Sequence, residues 1–156
     1  MLFQFDGRKV DNIIGGKGHK EGDEGSGYYF GKLVFDAFNN KRLTKEQESI
    51  FIRLIDVDEV QTSIGADSEK FILANISAKL CSHQTEFSDF HILNIEAFYE
   101  VHKSGIQSGE LYLVGSYAFY NQDVIMKVLN DFRIEVKGIV QKPIMRLVEQ
   151  TVSFID

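Results

Sequence analysis

Residues 90–120 read FHILNIEAFYEVHKSGIQSGELYLVGSYAFY, and the fold class turns on how that stretch is parsed. Leu93, Ile95, Ala97, Tyr99 and Val101 recur at every second position, and so do Leu111, Leu113, Gly115, Tyr117 and Phe119. Period two over this length predicts strands with one buried and one wet face. Lys103 to Gly109 lies between them, with glycines free to take positive φ in a turn. The stretch therefore reads as a long antiparallel hairpin, Phe90 to Tyr120.

Upstream, Ile72, Ala74, Ile76, Ala78 and Leu80 alternate and predict another strand, followed by a loop from Ser82 to Asp89. Tyr28 to Phe38 carries large apolar residues on both faces, as a central strand covered on two sides would. Leu2 to Phe5 and Lys9 to Ile14 read as short strands, and Val57 to Ile64 fits a short strand or a loop. Two segments read as helices. Thr44 with Gln47 three residues later is a capping-box pattern, and Ile50, Phe51, Leu54 and Ile55 share a helical face, so a helix is expected from Lys45 to Asp56. Asn121 suits an N-cap ahead of the Val124, Ile125, Val128, Leu129 and Phe132 stripe, which predicts a helix from Gln122 to Phe132. Ile134 to Val140 reads as a strand with a bulge at Gly138, and Ile144 to Phe154 alternates again after Pro143. The fold expected is α+β: a single domain over 1–156, with one curved, mainly antiparallel sheet of about six to eight strands and two packed helices.

A chain of 156 residues with 44% hydrophobic content is long enough to bury a core without a disulfide or metal staple. Net charge is −6 and the pI about 5.2, with no dense Lys/Arg footprint, which argues against direct binding to nucleic acid. Cys81 is the one cysteine, so no intramolecular disulfide can form. No basic segment followed by an apolar run marks the N-terminus, and no apolar run approaches the roughly 20 residues of a membrane span. A cytoplasmic protein without membrane contact is expected. Six glycines between Gly15 and Gly27 are mixed with His19, Glu21, Asp23 and Glu24, a composition that predicts a mobile loop. It lacks the Gly-Lys-Ser/Thr ending of a phosphate loop.

Catalytic chemistry finds little footing. On a strand, Glu96 and Glu100 would lie about 13 Å apart at ~3.3 Å per residue, wide for a carboxylate pair. Cys81 and His83 would share a face, but His91 and His102 differ in parity and would point oppositely on a strand, so a four-ligand zinc site does not assemble. Cys81 reads as a small core residue and His83 as a polar loop residue. Ser116 lacks the second glycine of a nucleophile elbow. Tyr99, Tyr112, Tyr117 and Tyr120 read as packing residues, since acidic rather than basic side chains surround them. Neither a metal nor a cofactor is expected.

What survives is a non-catalytic module that docks on a basic protein through Glu96, Glu100 and Glu110 with Asp56, Asp58 and Glu59. An acidic antidote to a basic nuclease toxin is a concrete instance. The alternatives are a small curved-sheet enzyme or ligand-binding domain using His91 or His102 with a glutamate, and a structural subunit of a phage or secretion assembly. Oligomeric state is left open.

Overall fold

The computed structural model describes residues 2–5, 10–14, 22–106 and 110–142. Their architecture is mainly helical, which overturns the α+β expectation. Seven helices and two two-stranded sheets are present among the described residues. Strands β1 (Leu2–Phe5) and β2 (Val10–Ile14) pair antiparallel, with an irregularity between Gln4 and Phe5. Five helices follow: α1 (Gly27–Asn39), α2 (Lys45–Leu54), α3 (Val57–Ser63), α4 (Glu69–Lys79) and α5 (Ser88–His102). Strand β3 (Glu110–Val114), helices α6 (Ser116–Tyr120) and α7 (Gln122–Asp131), and strand β4 (Glu135–Val140) complete the described chain. β3 and β4 pair in parallel, as a crossover containing helices requires.

The Phe90–Tyr120 hairpin is thus a helix, a turn, a short strand and a further helical turn. Leu93 and Val101, assigned to a buried strand face, are 50% and 47% exposed. The face of α5 that is buried carries His91, Asn94, Ile95 and His102. Those positions follow the 3.6-residue period, but three of the four are polar, so hydrophobicity alone misses them. The predicted strand over 72–80 is α4. Its buried positions are Leu73, Ile76, Ser77 and Leu80, while Ala78 is exposed and breaks the alternation. The predicted central strand over 28–38 is α1, buried at Tyr28, Phe30, Gly31, Val34, Phe35 and Ala37. A helix enclosed on most of its circumference shows apolar residues in both parities, just as a doubly covered strand does. Val57 to Ile64 is neither strand nor loop but α3, whose N-cap Asp56 accepts from the Glu59 N–H.

Both predicted helices form. At α2 the capping box is complete: Thr44 Oγ1 accepts from the Gln47 N–H, and Gln47 Oε1 accepts from the Thr44 N–H. Helix α7 forms on the predicted stripe, but Asn121 does not cap it with its side chain; Nδ2 donates to the Tyr117 carbonyl instead. β4 forms with its irregularity at Gly138, where the register steps from Val136 to Gly138 against Leu111 and Tyr112. The alternating stretch from Ile144 to Phe154 lies outside the described residues.

Two hydrophobic clusters make the core. The first joins α1 to α4 around Phe30, Phe51, Leu73 and Ile76, with Phe87 ahead of α5. The second joins α5, β3, α6, α7 and β4 around Ile95, Leu111, Ile125 and Leu129. Tyr117 packs against both. At the α1–α4 contact, Gly31 lies so close to the Leu73 carbonyl that a Cβ there would overlap the carbonyl oxygen.

Candidate functional site

The segment Gly22-Asp23-Glu24-Gly25-Ser26-Gly27 enters α1 through a defined turn. Ser26 takes extended backbone angles, and its Oγ accepts from the Tyr29 N–H at 3.1 Å. This is N-capping by the preferred chemistry, serine ahead of an apolar-periodic run. Gly25 sits at φ +79, and a Cβ there would meet the Phe98 ring at 2.9 Å. Both facts require glycine. The turn is tied to α5 by one side chain. Asn94, fully buried, accepts from the Gly25 N–H at 2.7 Å and donates through Nδ2 to the Ser26 carbonyl at 3.0 Å. Asp23 pairs with Lys70 at 3.1 Å, tying the turn to α4 as well.

A second glycine turn closes β3. Gly115 has φ +120, and its N–H donates to the Val140 carbonyl at 2.9 Å, so it extends the parallel pairing before the chain turns into α6. One residue into α6, the Tyr117 hydroxyl lies 2.8 Å from His91 Nδ1. His91 stacks on Phe30 of α1 with centroids 4.2 Å apart. Burial pushes the His91 imidazole down to about 4, so the ring is neutral at ordinary pH. Burial drives the Tyr117 phenol strongly upward, and its interaction with the Asn94 side chain only partly opposes the rise. The His91–Tyr117 contact is therefore one between neutral groups.

Buried polar residues of α5 thus reach toward both glycine turns: Asn94 holds the turn at 25–26, and His91 meets Tyr117 beside the turn at 115–116. His91 and His102 do not point to opposite faces, as a strand would have them; from 91 to 102 is about three helical turns, and both are buried. His102 packs against the Phe98 ring at 4.6 Å. Burial lowers its affinity for a proton, and Glu24 partly offsets that.

The other expected site residues are scattered. Glu96 and Glu100 are exposed, one helical turn apart on α5 rather than 13 Å apart along a strand, and Glu100 pairs with Lys103 at 2.5 Å. Asp56, Asp58 and Glu59 stand exposed at the start of α3. Glu110 begins β3, and its side chain lies outside the described residues. His19 and Glu21 also fall outside, whereas Asp23 and Glu24 belong to the turn entering α1. Cys81 is exposed rather than in the core. His83 pairs with Glu86 at 3.0 Å, and that hydrogen bond holds the Glu86 carboxyl below its usual range. Among the described residues no group of three His, Cys, Asp or Glu could hold a metal ion. Sequence reading missed Asn94 and Tyr117. Ser26 before a run of apolar residues was the available signal for the α1 entry; the partner 68 residues away had none.

No family model and no curated protein matches the chain. Solved structures do. One is a crystal structure of a candidate N-acetylglucosamine kinase from Porphyromonas gingivalis, with a TM-score of 0.81 and 20% identity. The match covers 94% of this chain and 54% of that one, so the chain spans about half the length of the structure it resembles. At that identity the likeness establishes the fold.

Proposed function

We propose that the chain forms part of a sugar kinase acting on an amino sugar of the N-acetylglucosamine class. The observation that carries this reading is the likeness over 94% of the chain to a candidate kinase of that sugar. The two glycine turns give it a place to act. In parallel sheets, ligands bind beyond the carboxyl ends of the strands. Here that position is Val114-Gly115-Ser116 beside Val140 and Gln141, where a residue without a side chain lets a ligand approach the backbone. The turn at 22–27 brings Asp23 and Glu24, acceptors suited to sugar hydroxyls. Phosphoryl transfer draws mostly on positioning and electrostatics, which rigid turns provide. A cytoplasmic location goes with a nucleotide-using enzyme; among the described residues no helix is long and apolar enough to cross a membrane.

The test is titration of the ¹⁵N-labelled chain with magnesium-ADP and, separately, N-acetylglucosamine. Amide shifts are expected at Gly115, Ser116 and Gln141 with the nucleotide and at Gly25 to Gly27 with the sugar. Silence at all of these amides with both ligands would overturn the reading. Docking on a basic protein is a separate proposal: Glu96 and Glu100 share one face of α5, and reversing both charges is expected to weaken and slow such association.

A further inference from the structure

We propose that Tyr117 is a positioning residue that couples the two glycine turns, so that the geometry of 22–27 is set from the turn at 115–116 through α5. Each link is a contact of a buried group. Tyr117 follows Gly115 by two residues and meets His91 Nδ1 at 2.8 Å. Asn94 spends one polar atom on the Gly25 N–H and the other on the Ser26 carbonyl. His91, Tyr117 and Phe30, four residues past Ser26, form a cluster of three mutually touching rings, with centroids 4.2 Å apart for His91–Phe30, 5.8 Å for His91–Tyr117 and 5.9 Å for Phe30–Tyr117. His91 Nε2 has no hydrogen-bond partner among the described residues, so its orientation rests on the tyrosine contact and on stacking. A displacement of the 115–117 turn therefore displaces His91 and Phe30, and with them the first turn of α1 and the face of α5 from which Asn94 holds the turn at 25–26.

That the turns are half-sites for nucleotide and sugar rests on the kinase reading; the coupling does not. It predicts that a ligand seated at 115–116 stiffens the 22–27 turn, and the converse, since coupling between sites is reciprocal.

Amide hydrogen exchange on the free chain tests the coupling without any ligand. Tyr117→Phe removes one hydroxyl and keeps the ring. It should speed exchange over Gly25 to Tyr28 about tenfold, the loss expected for one buried hydrogen-bond partner, while amides of α2 and α3 keep their rates. Unchanged exchange at 25–28 would overturn the proposal. If Tyr117→Phe raises exchange everywhere, Gly25→Ala reads the same link from the other end. It should alter exchange at Ser116 to Ala118 several-fold, and no change there would overturn the coupling. Magnesium-ADP gives the second arm. Protection of 25–28 by the nucleotide in the native chain, lost in Tyr117→Phe while binding persists, is the expected result. Bound nucleotide with no effect at 25–28 would reject the coupling and leave the kinase reading standing. Absent binding would reject the kinase reading, and exchange in the free chain would still decide the coupling.

Discussion

A missing methyl group decides how α1 and α4 meet. A Cβ on Gly31 would overlap the Leu73 carbonyl oxygen, and backbone cannot rotate away as a side chain can. Gly31→Ala must push the helices apart and is expected to cost about 3 kcal/mol or more, measured by urea unfolding. His91 sets a pH dependence. Its folded pKa, about 4, is depressed from 6.5 by burial. Above pH 6.5 the ring is neutral in both states, and its contribution to stability is fully present. As pH falls from 6.5 toward 4, the unfolded chain takes up a proton that the native site refuses, and stability declines by roughly 3 kcal/mol in all. Of the side chains it contacts, Phe30 carries no charge and Tyr117 stays neutral across that range. His91→Gln should flatten this part of the profile; an unchanged slope would mean that another group titrates.

Helix ends explain much of what could be read in advance. α2 announces itself with Thr44 and Gln47, and Thr44→Ala should cost about 1 kcal/mol in thermal or urea unfolding. α7 announces itself with an apolar stripe. α1 and α7 stop without the usual glycine. In both, the residue after the C-cap is left-handed: Lys41 at φ 54 and Arg133 at φ 61. The bonds that close them are those of a Schellman motif: Arg42 N–H to Ala37 carbonyl and Lys41 N–H to Phe38 carbonyl, then Ile134 N–H to Leu129 carbonyl and Arg133 N–H to Asn130 carbonyl. A β-carbon at those positions costs energy that glycine avoids. Lys41→Gly and Arg133→Gly should each stabilise the fold by up to about 1 kcal/mol, seen as a raised urea midpoint. Without glycine to mark its end, α1 lost its boundary signal. α5 lost its periodicity because His91, Asn94 and His102 occupy inward positions where apolar residues are expected.

Across the whole molecule, α1–α4 and α5–β4 build separate hydrophobic clusters that share Tyr117. The native chain should unfold in one urea transition. Tyr117→Ala should separate the clusters, lower the apparent m-value and release the α7–β4 part first; an unchanged m-value with only a shifted midpoint would show that the clusters are joined elsewhere. β3 and β4 pair in parallel where an antiparallel sheet is expected, because two helices carry the chain from one to the other. The candidate site was legible only in its glycines; the residues that tie its turns together come from elements tens of residues away. Cys81 is the chain's single thiol and is exposed just beyond α4. Three residues later, Gln84 donates to both the Cys81 carbonyl at 3.1 Å and the Tyr120 carbonyl at 2.6 Å, fastening that loop to the end of α6. A maleimide dye on the native cysteine would therefore sit, in one defined place and with no engineered residue, on a loop hydrogen-bonded to the end of the helix that follows β3, where its emission could report occupancy of the turn at 115–116.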